Sequence, residues 1–221
     1  MRNRSLIIFA FATILFVNNA NAQLSELVTP REKLLKALNH IGEKKYGAAQ
    51  SLLMDFNVND SFYGLSGYYL SICYDNQQDY ENAFKVAKKF ANDLTVDDRE
   101  AFYEMAGSAS FYGKNHREGV SLLKEGIVLF PQDIFLYDKL ARNYIMLGED
   151  SLAYNAVMEG MKINPLYAGI LESLGELNAR NGNYTQASMA WYLALYSKFQ
   201  RKEFSSRAFN LILKFEGVLG G

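Results

Sequence analysis

The chain has 221 residues, of which 49% are hydrophobic and 21% are charged, and its formal net charge is −1. This composition allows a sizeable buried core and excludes a disordered or collagen-like chain. Acidic residues number 24 against 23 basic ones, and no lysine- or arginine-rich run is present to neutralise phosphates, which argues against nucleic-acid binding. Only three prolines occur, so helices are favoured over a turn-rich strand protein.

The first 22 residues have the three parts of a secretory signal peptide. Arg2 and Arg4 form a positive end, residues 6–17 are apolar and uncharged, and Ala20 and Ala22 are small residues where a signal peptidase reads them. A retained membrane anchor is the alternative, but this apolar run is shorter than the roughly 20 residues that a spanning helix needs. The sequence therefore predicts cleavage after Ala22 and export, with residues 23–29 as a short lead.

The single cysteine, Cys73, can form no intramolecular disulfide and lies too far from the cleavage site to carry a lipid anchor. It is predicted to be a small buried hydrophobic residue. Removal of residues 1–22 takes away two arginines and no acids, which leaves a formal charge of −3. We therefore expect the mature protein to be soluble and periplasmic.

One short pattern recurs along the rest of the chain. Its five copies are YGAA (46–49), YENA (80–83), HREG (116–119), DSLA (150–153) and YTQA (184–187), and their last residues lie 34, 36, 34 and 34 positions apart. The residue twelve positions before each of these is also small. Small residues at both places allow two antiparallel helices to cross at a short distance. The residues predicted at these crossings are Ala37, Ala49, Ser71, Ala83, Gly107, Gly119, Ala141, Ala153, Gly175 and Ala187.

This period, with helical patterning on both sides of a turn, resembles the tetratricopeptide repeat family. The resemblance covers residues 30–199 and implies an all-α fold, a right-handed α-solenoid of about five helix-turn-helix repeats. The first repeat departs most, with Lys36 in place of the usual leucine and His40 in place of the usual aromatic residue. The third repeat has Gly119 and Gly126 where alanine is usual, which predicts a weak second helix there.

Local signals agree with these repeats. Thr29 and Glu32 form a capping-box pattern around Pro30. Gly148 and Gly182 fall between the two helices of their repeats, where a glycine can end a helix. Beyond the repeats, residues 200–221 are predicted to form a capping helix, Arg201 to Phe215, and a tail. The alternative is that the array continues in a longer chain.

No motif for catalysis or cofactor binding is present. The sequence lacks a phosphate-binding glycine loop, an HExxH motif, a CxxC pair and a nucleophile elbow. His40 and His116 lie in different repeats and have no third metal ligand in view. The sequence therefore predicts a protein that is not an enzyme and that has no metal and no cofactor.

The resemblance also implies which residues face a partner, because the first helices of such repeats line the concave side. The implied residues form an apolar zone and an acidic zone. They are Leu65, Tyr68, Ile72 and Phe111 in the apolar zone, and Glu104, Asp138, Glu172 and Glu176, with Arg142 between them, in the acidic zone. These zones would suit a segment with apolar anchors and some basic character. Alternatively, the apolar residues pack between repeats and the acids are merely solvated.

The lysine and asparagine clamp with which some members of this family hold a C-terminal carboxylate is absent. The sequence as a whole predicts an exported, non-catalytic scaffold of the bacterial envelope that binds a protein or peptide and no nucleic acid. The alternative is an accessory module that binds a carbohydrate or small ligand for an uptake or degradation system.

Overall fold

The computed structural model describes residues 29–93, 95–96 and 99–200, and this part of the chain forms ten α-helices and no strand. The helices are α1 (Pro30–Gly42), α2 (Tyr46–Leu53), α3 (Tyr63–Asn76), α4 (Tyr80–Ala91), α5 (Arg99–Tyr112), α6 (His116–Leu129), α7 (Ile134–Leu147), α8 (Asp150–Ile163), α9 (Ala168–Arg180) and α10 (Tyr184–Gln200). Consecutive pairs of helices are numbered as repeats 1 to 5, following the pattern of the sequence. The fold is therefore all-α and tetratricopeptide-like, as predicted.

Two predicted segments lie outside the described residues, namely the signal peptide of residues 1–22 and the capping helix from Arg201 to Phe215. Among the helices that the structure does describe, none combines the length and the apolar character that crossing a membrane requires.

The first helix begins at the predicted capping box. The Thr29 hydroxyl accepts a hydrogen bond from the Glu32 N–H at 3.2 Å, and the Glu32 carboxylate accepts one from the Thr29 N–H at 3.0 Å. Pro30 occupies the first helical position, where its missing N–H costs nothing. These bonds satisfy donors that a helix start leaves unpaired, so the sequence signal identified the boundary of α1 correctly.

The turn between the two helices has the same construction in every repeat. The left-handed residues are Lys44, Gln78, Lys114, Gly148 and Gly182, with φ between 58° and 77°, at the spacing of the repeat itself. The next N–H donates to the carbonyl five residues earlier in each case, at 2.8–3.0 Å, as in a Schellman cap. The prediction for Gly148 and Gly182 is thus confirmed, whereas three repeats place a lysine or glutamine in a conformation that glycine adopts more easily.

The chain divides into two compact units, one ending at Cys73 and the other beginning at Tyr74. In the first unit α1 packs against α2, and Ala37 and Ala49 are fully buried. Beside them the Lys33 ammonium lies 2.6 Å from the Asp55 carboxylate and over the ring of Phe56. These contacts join the start of α1 to the end of α2.

In the second unit each helix from α4 to α10 packs against the next one, and α7 also packs against both α5 and α9. The first helices of repeats 3, 4 and 5 therefore form one layer. A buried amide joins two of them, because Asn143 of α7 donates to the Gly107 carbonyl of α5 at 3.1 Å. Its Oδ1 lies 3.2 Å from the Ser110 hydroxyl oxygen and 3.1 Å from His116 Nδ1.

The ten small residues predicted at helix crossings are all buried. Space is tightest at the glycines. A Cβ added to Gly107 would lie 2.6 Å from the Leu123 side chain, and a Cβ added to Gly119 would overlap the Ser110 hydroxyl. On Gly126 it would lie 2.9 Å from the Tyr103 ring. Larger neighbours thus fill the room beside Gly119 and Gly126, so these two glycines leave no void in α6.

Candidate functional site

A pocket of about 300 Å³ lies on the layer formed by α5, α7 and α9. Its walls come from four helices, because α10 contributes one side chain. The lining residues are Phe111 of α5, Arg142 and Ile145 of α7, Glu172, Ser173 and Glu176 of α9, and Trp191 of α10. Four of them, Phe111, Arg142, Glu172 and Glu176, were expected to face a partner, and the structure brings these four together.

The apolar wall of the pocket consists of two aromatic rings and one aliphatic side chain. Phe111 is half-buried and meets Tyr112 edge to face, and Ile145 is buried. Trp191 is the only tryptophan of the chain, and 45% of it is exposed. Its indole rests directly on the backbone of α9, since a Cβ on Gly175 would overlap the ring. Gly175 thereby allows the aromatic side chain to lie flat beside the pocket.

A chain of ion pairs forms the polar wall. Arg142 Nε donates to Asp138 Oδ1 at 2.8 Å and Nη2 donates to Glu172 Oε2 at 2.8 Å, while Lys198 donates to the other oxygen of Glu172. Burial disfavours the charge of Arg142, but Asp138 and Glu172 outweigh it and raise the pKa of the guanidinium. Burial likewise disfavours the charged form of Glu172, but the hydrogen bonds that its carboxylate accepts from Lys198 and Arg142 outweigh burial and lower its pKa.

Asp138 corrects one of the sequence-based expectations. It was expected to contact a partner, but its side chain is only 2% exposed. The residue lies between Arg142 and α9, and Gly169 of α9 leaves room for its carboxylate. A Cβ added to Gly169 would lie 2.6 Å from Asp138 Oδ1. Its carboxylate also accepts a bond from Lys139 at 3.2 Å. Asp138 therefore positions Arg142 from below and presents nothing to a bound molecule.

Glu176 and Ser173 are less constrained by their neighbours. Glu176 is 51% exposed and pairs with Arg180 at 3.3 Å, and Arg180 is shared with Asp150 at 3.0 Å. The Ser173 hydroxyl is buried and has no hydrogen-bond partner in the described structure. Three other helical serines, Ser66, Ser110 and Ser188, donate to a carbonyl three or four residues earlier, whereas the buried hydroxyl of Ser71 is unpaired as well. Ser173 differs from Ser71 in that it lines the pocket, and its hydroxyl lacks the partner that a buried polar atom usually has.

Glu104 lies on α5, outside this pocket, beside the Asp133 carboxylate that caps the start of α7. Burial and the neighbouring negative charge raise the pKa of Glu104 to about 7. Burial also raises the pKa of Asp133, although its bond from the Phe135 N–H, at 2.8 Å, acts in the opposite direction. Burial and the adjacent carboxylate thus both favour the protonated form of Glu104.

The remaining predicted partner residues, Leu65, Tyr68 and Ile72, lie on α3 in the first unit. Leu65 is exposed, and Tyr68 and Ile72 are partly buried. The Tyr68 ring meets that of Tyr69 edge to face at 5.4 Å. Their role in binding stays a prediction.

Sequence reasoning missed three lining residues. Trp191 lies one helical turn after Ala187, which favours a core position, but 45% of it is exposed, and Gly175 opposite it leaves room for the ring. Ser173 and Ile145 carry no signal of their own in the sequence. Their spacing from Glu176 and Arg142, three residues in each case, could have placed them on the same helix faces.

Within residues 29–200, as far as the structure describes them, no group of three histidine, cysteine, aspartate or glutamate side chains is arranged to hold a metal ion. Cys73 is buried, which raises the pKa of its thiol to about 11 and makes the reactive thiolate scarce.

No protein-family model matches the chain, and no curated protein matches its sequence. Solved structures of MamA, a tetratricopeptide-like all-helical protein, do match. A MamA RS-1 double mutant has a TM-score of 0.64 at 14% identity, over 79% of this chain and 97% of its own. MamA from Desulfovibrio magneticus RS-1 gives 0.63 at 14%, over 79% and 97%, and another MamA crystal structure gives 0.60 at 20%, over 76% and 97%. At such identities the likeness establishes the fold alone.

Proposed function

We propose that this protein is an exported, non-catalytic scaffold of the bacterial envelope that holds a partner protein or peptide. The binding surface is the layer of α5, α7 and α9, which the repeat resemblance makes the concave side. The observation that carries the proposal is the pocket itself, since three successive repeats each contribute a first-helix wall to it. Repeat proteins use such shared surfaces for binding because each repeat adds one strip to a continuous face.

The binding test is site-specific photo-crosslinking in envelope preparations, with a photoreactive phenylalanine analogue in place of Phe111. We expect discrete adducts with one or a few proteins. These adducts should disappear when Trp191→Ala is added, because the aromatic wall supplies the contact area. The matched control is Tyr184→Ala, an exposed aromatic residue of the same helix that does not line the pocket.

Adducts that are unchanged by Trp191→Ala, or the absence of any adduct, would contradict a binding role for the pocket. The α3 residues are tested separately with Tyr68→Ala in the same assay. Loss of adducts in that variant would extend the binding surface to the first unit.

The export part of the proposal rests on the signal-like pattern of residues 1–22. Its test is N-terminal sequencing of the protein recovered from a periplasmic fraction. We expect the mature chain to begin at Gln23. Recovery of a chain that still begins at Met1, from the cytoplasm or the membrane, would refute export.

The pocket volume also supports a second candidate function, the binding of a glycan or small ligand. About 300 Å³ reaches the lower limit of small-molecule sites, so an accessory module that binds a glycan or small ligand remains the alternative. A thermal-shift screen separates the two functions, because a ligand that binds the folded state raises the melting temperature. A rise that is lost in Trp191→Ala would favour this alternative over a protein partner.

A further inference from the structure

We infer that the pocket receives a single arginine side chain of the bound partner, stacked on Trp191 and paired with Glu176 and Ser173. This inference rests on the proposed function and specifies the chemistry of its anchor. It depends on four features of the pocket, namely its charge balance, the unpaired hydroxyl, the aromatic wall and its size.

The charge balance of the lining residues favours a cation. One cationic and two acidic residues line the pocket, and Arg142 is already held by Asp138 and Glu172 at 2.8 Å each. Glu172 is in turn held by Arg142 and Lys198. Glu176 is different, because it is half exposed and has only a 3.3 Å contact with a shared arginine. A ligand carboxylate would meet two glutamates and an occupied Arg142, whereas a ligand cation would meet the Glu176 carboxylate.

The unpaired hydroxyl of Ser173 supplies a second acceptor. The residue is 3% exposed and lines the pocket, and its Oγ has no hydrogen-bond partner in the described structure. Ser173 and Glu176 are three residues apart on α9, so the two acceptors lie on one face of the helix. A guanidinium carries several N–H donors in a fixed fork and can donate to two separate acceptors, whereas an ammonium acts as a point charge.

The aromatic wall and the volume select the same group. Trp191 lines the pocket and is 45% exposed, and the planar, weakly hydrated guanidinium stacks on aromatic rings more readily than an ammonium does. Ile145 and Phe111 provide apolar surface for the methylene stem. A volume of about 300 Å³ holds one long side chain and is too small for a docked helix.

The test uses the full-length protein and the fluorescence and indole NMR signal of Trp191, which is unambiguous because the chain contains one tryptophan. The probes are N-acetyl-arginine methylamide and the corresponding lysine, citrulline and glutamate compounds. We expect a saturable shift with the arginine compound at millimolar concentration. The lysine compound should bind several-fold more weakly, and the shift should be absent for citrulline, which has nearly the same shape and no charge. Salt should weaken the binding because the contact is partly electrostatic.

Two variants locate the site of the arginine. Glu176→Gln should weaken binding about tenfold, in line with the loss of a charge-assisted hydrogen bond. Its matched control is Glu159→Gln, because Glu159 is 52% exposed and forms a similar within-helix ion pair outside the pocket. Ser173→Ala should also weaken binding, and since the hydroxyl makes no bond in the described structure, this variant should unfold at the same or a higher temperature.

Each outcome supports or overturns the inference. Equal shifts with arginine and citrulline, a stronger shift with the glutamate compound, or no shift with any probe would overturn it. Equal losses in Glu176→Gln and Glu159→Gln would do the same. If photo-crosslinking at Phe111 still depends on Trp191 in that case, the proposed function stands and only the arginine anchor is wrong. If both assays fail, the proposed function fails as well.

Discussion

Glu104, Asp138 and Glu172 occupy the same position of three successive repeats, 34 residues apart, and differ sharply in their surroundings. Glu104 lies beside the Asp133 carboxyl group, and burial and that neighbouring charge raise its pKa. Asp138 is buried under Arg142 and Lys139, and Glu172 lies between Arg142 and Lys198 at the edge of the pocket. An equivalent position in a repeat therefore fixes where an acid lies, while its charge and its role depend on residues from neighbouring helices and loops.

The largest expected effect concerns the buried acid of repeat 4. Arg142→Ala leaves the Asp138 carboxylate with Lys139 as its remaining cationic partner, so the free energy of unfolding should fall by about 3 kcal/mol at pH 7. Urea unfolding of the purified protein measures this change. Asp138→Asn in the Arg142→Ala background should recover part of the loss, because it removes the uncompensated charge. A loss below about 1 kcal/mol in Arg142→Ala would show that Asp138 needs no such partner.

A smaller effect, which depends on pH, is expected for Glu104 in repeat 3. The pKa of Glu104 is raised from 4.5 in the unfolded chain to about 7, so its stabilising contribution is complete below about pH 4.5 and is lost as the pH rises through 7. Because Glu104 is only partly buried, solvent screening reduces this contribution to about 1–2 kcal/mol.

Glu104→Gln tests this contribution by keeping the shape of the protonated form without its titration. The variant should match the wild type at pH 5 and be more stable at pH 8, as measured by urea unfolding at both values. Glu125→Gln, at an exposed position of α6, serves as the control and should leave the pH dependence of the wild type unchanged. A Glu104→Gln variant that loses stability equally at both pH values would contradict the raised pKa of Glu104.

The smallest effect is expected at the pocket edge in repeat 5. Glu172→Gln removes the charge attraction to Arg142 and Lys198 but keeps an acceptor oxygen, so the loss should be about 0.5–1 kcal/mol at pH 7. The pKa of Glu172 is lowered, so this stabilisation is present above its ordinary pKa and is lost as the pH falls through the lowered one. Chemical unfolding at pH 7 and pH 3 should show the difference between wild type and variant shrinking at the lower pH. A difference that grows on acidification would contradict the ion-pair arrangement.

The fold was largely predictable because its determinants are local and periodic. The recurring small residues at positions 34 to 36 apart indicated the helix pairs, and all ten of them are buried, while the capping box at Thr29 located the start of α1. The turns repeat so regularly that Lys44, Gln78 and Lys114 take the left-handed conformation that glycine has at 148 and 182. Here the hydrogen bonds of the cap and the packing of the helices outweigh the preference of the single residue.

The pocket was only partly predictable. The register of the first helices placed Phe111, Arg142, Glu172 and Glu176 on one layer. It also placed Asp138 there, but Asp138 is buried against Gly169 of the next repeat, which has no side chain and leaves room for the carboxylate. Ser173 and Trp191 were missed, because exposure of the indole and isolation of the hydroxyl depend on what packs against them.

The sequence by itself determined that this protein is a helical repeat and where its helices cross and turn, since side-chain size and helix caps act over a few residues. Only the tertiary structure decided which carboxylate meets a cation, which meets another carboxylate and which polar atom stays unpaired. For Glu104 and Glu172 those distinctions arise between residues some 30 positions apart, Glu104 with Asp133 and Glu172 with Arg142, and the electrostatic energy of each acid is set by that distant neighbour and by its burial.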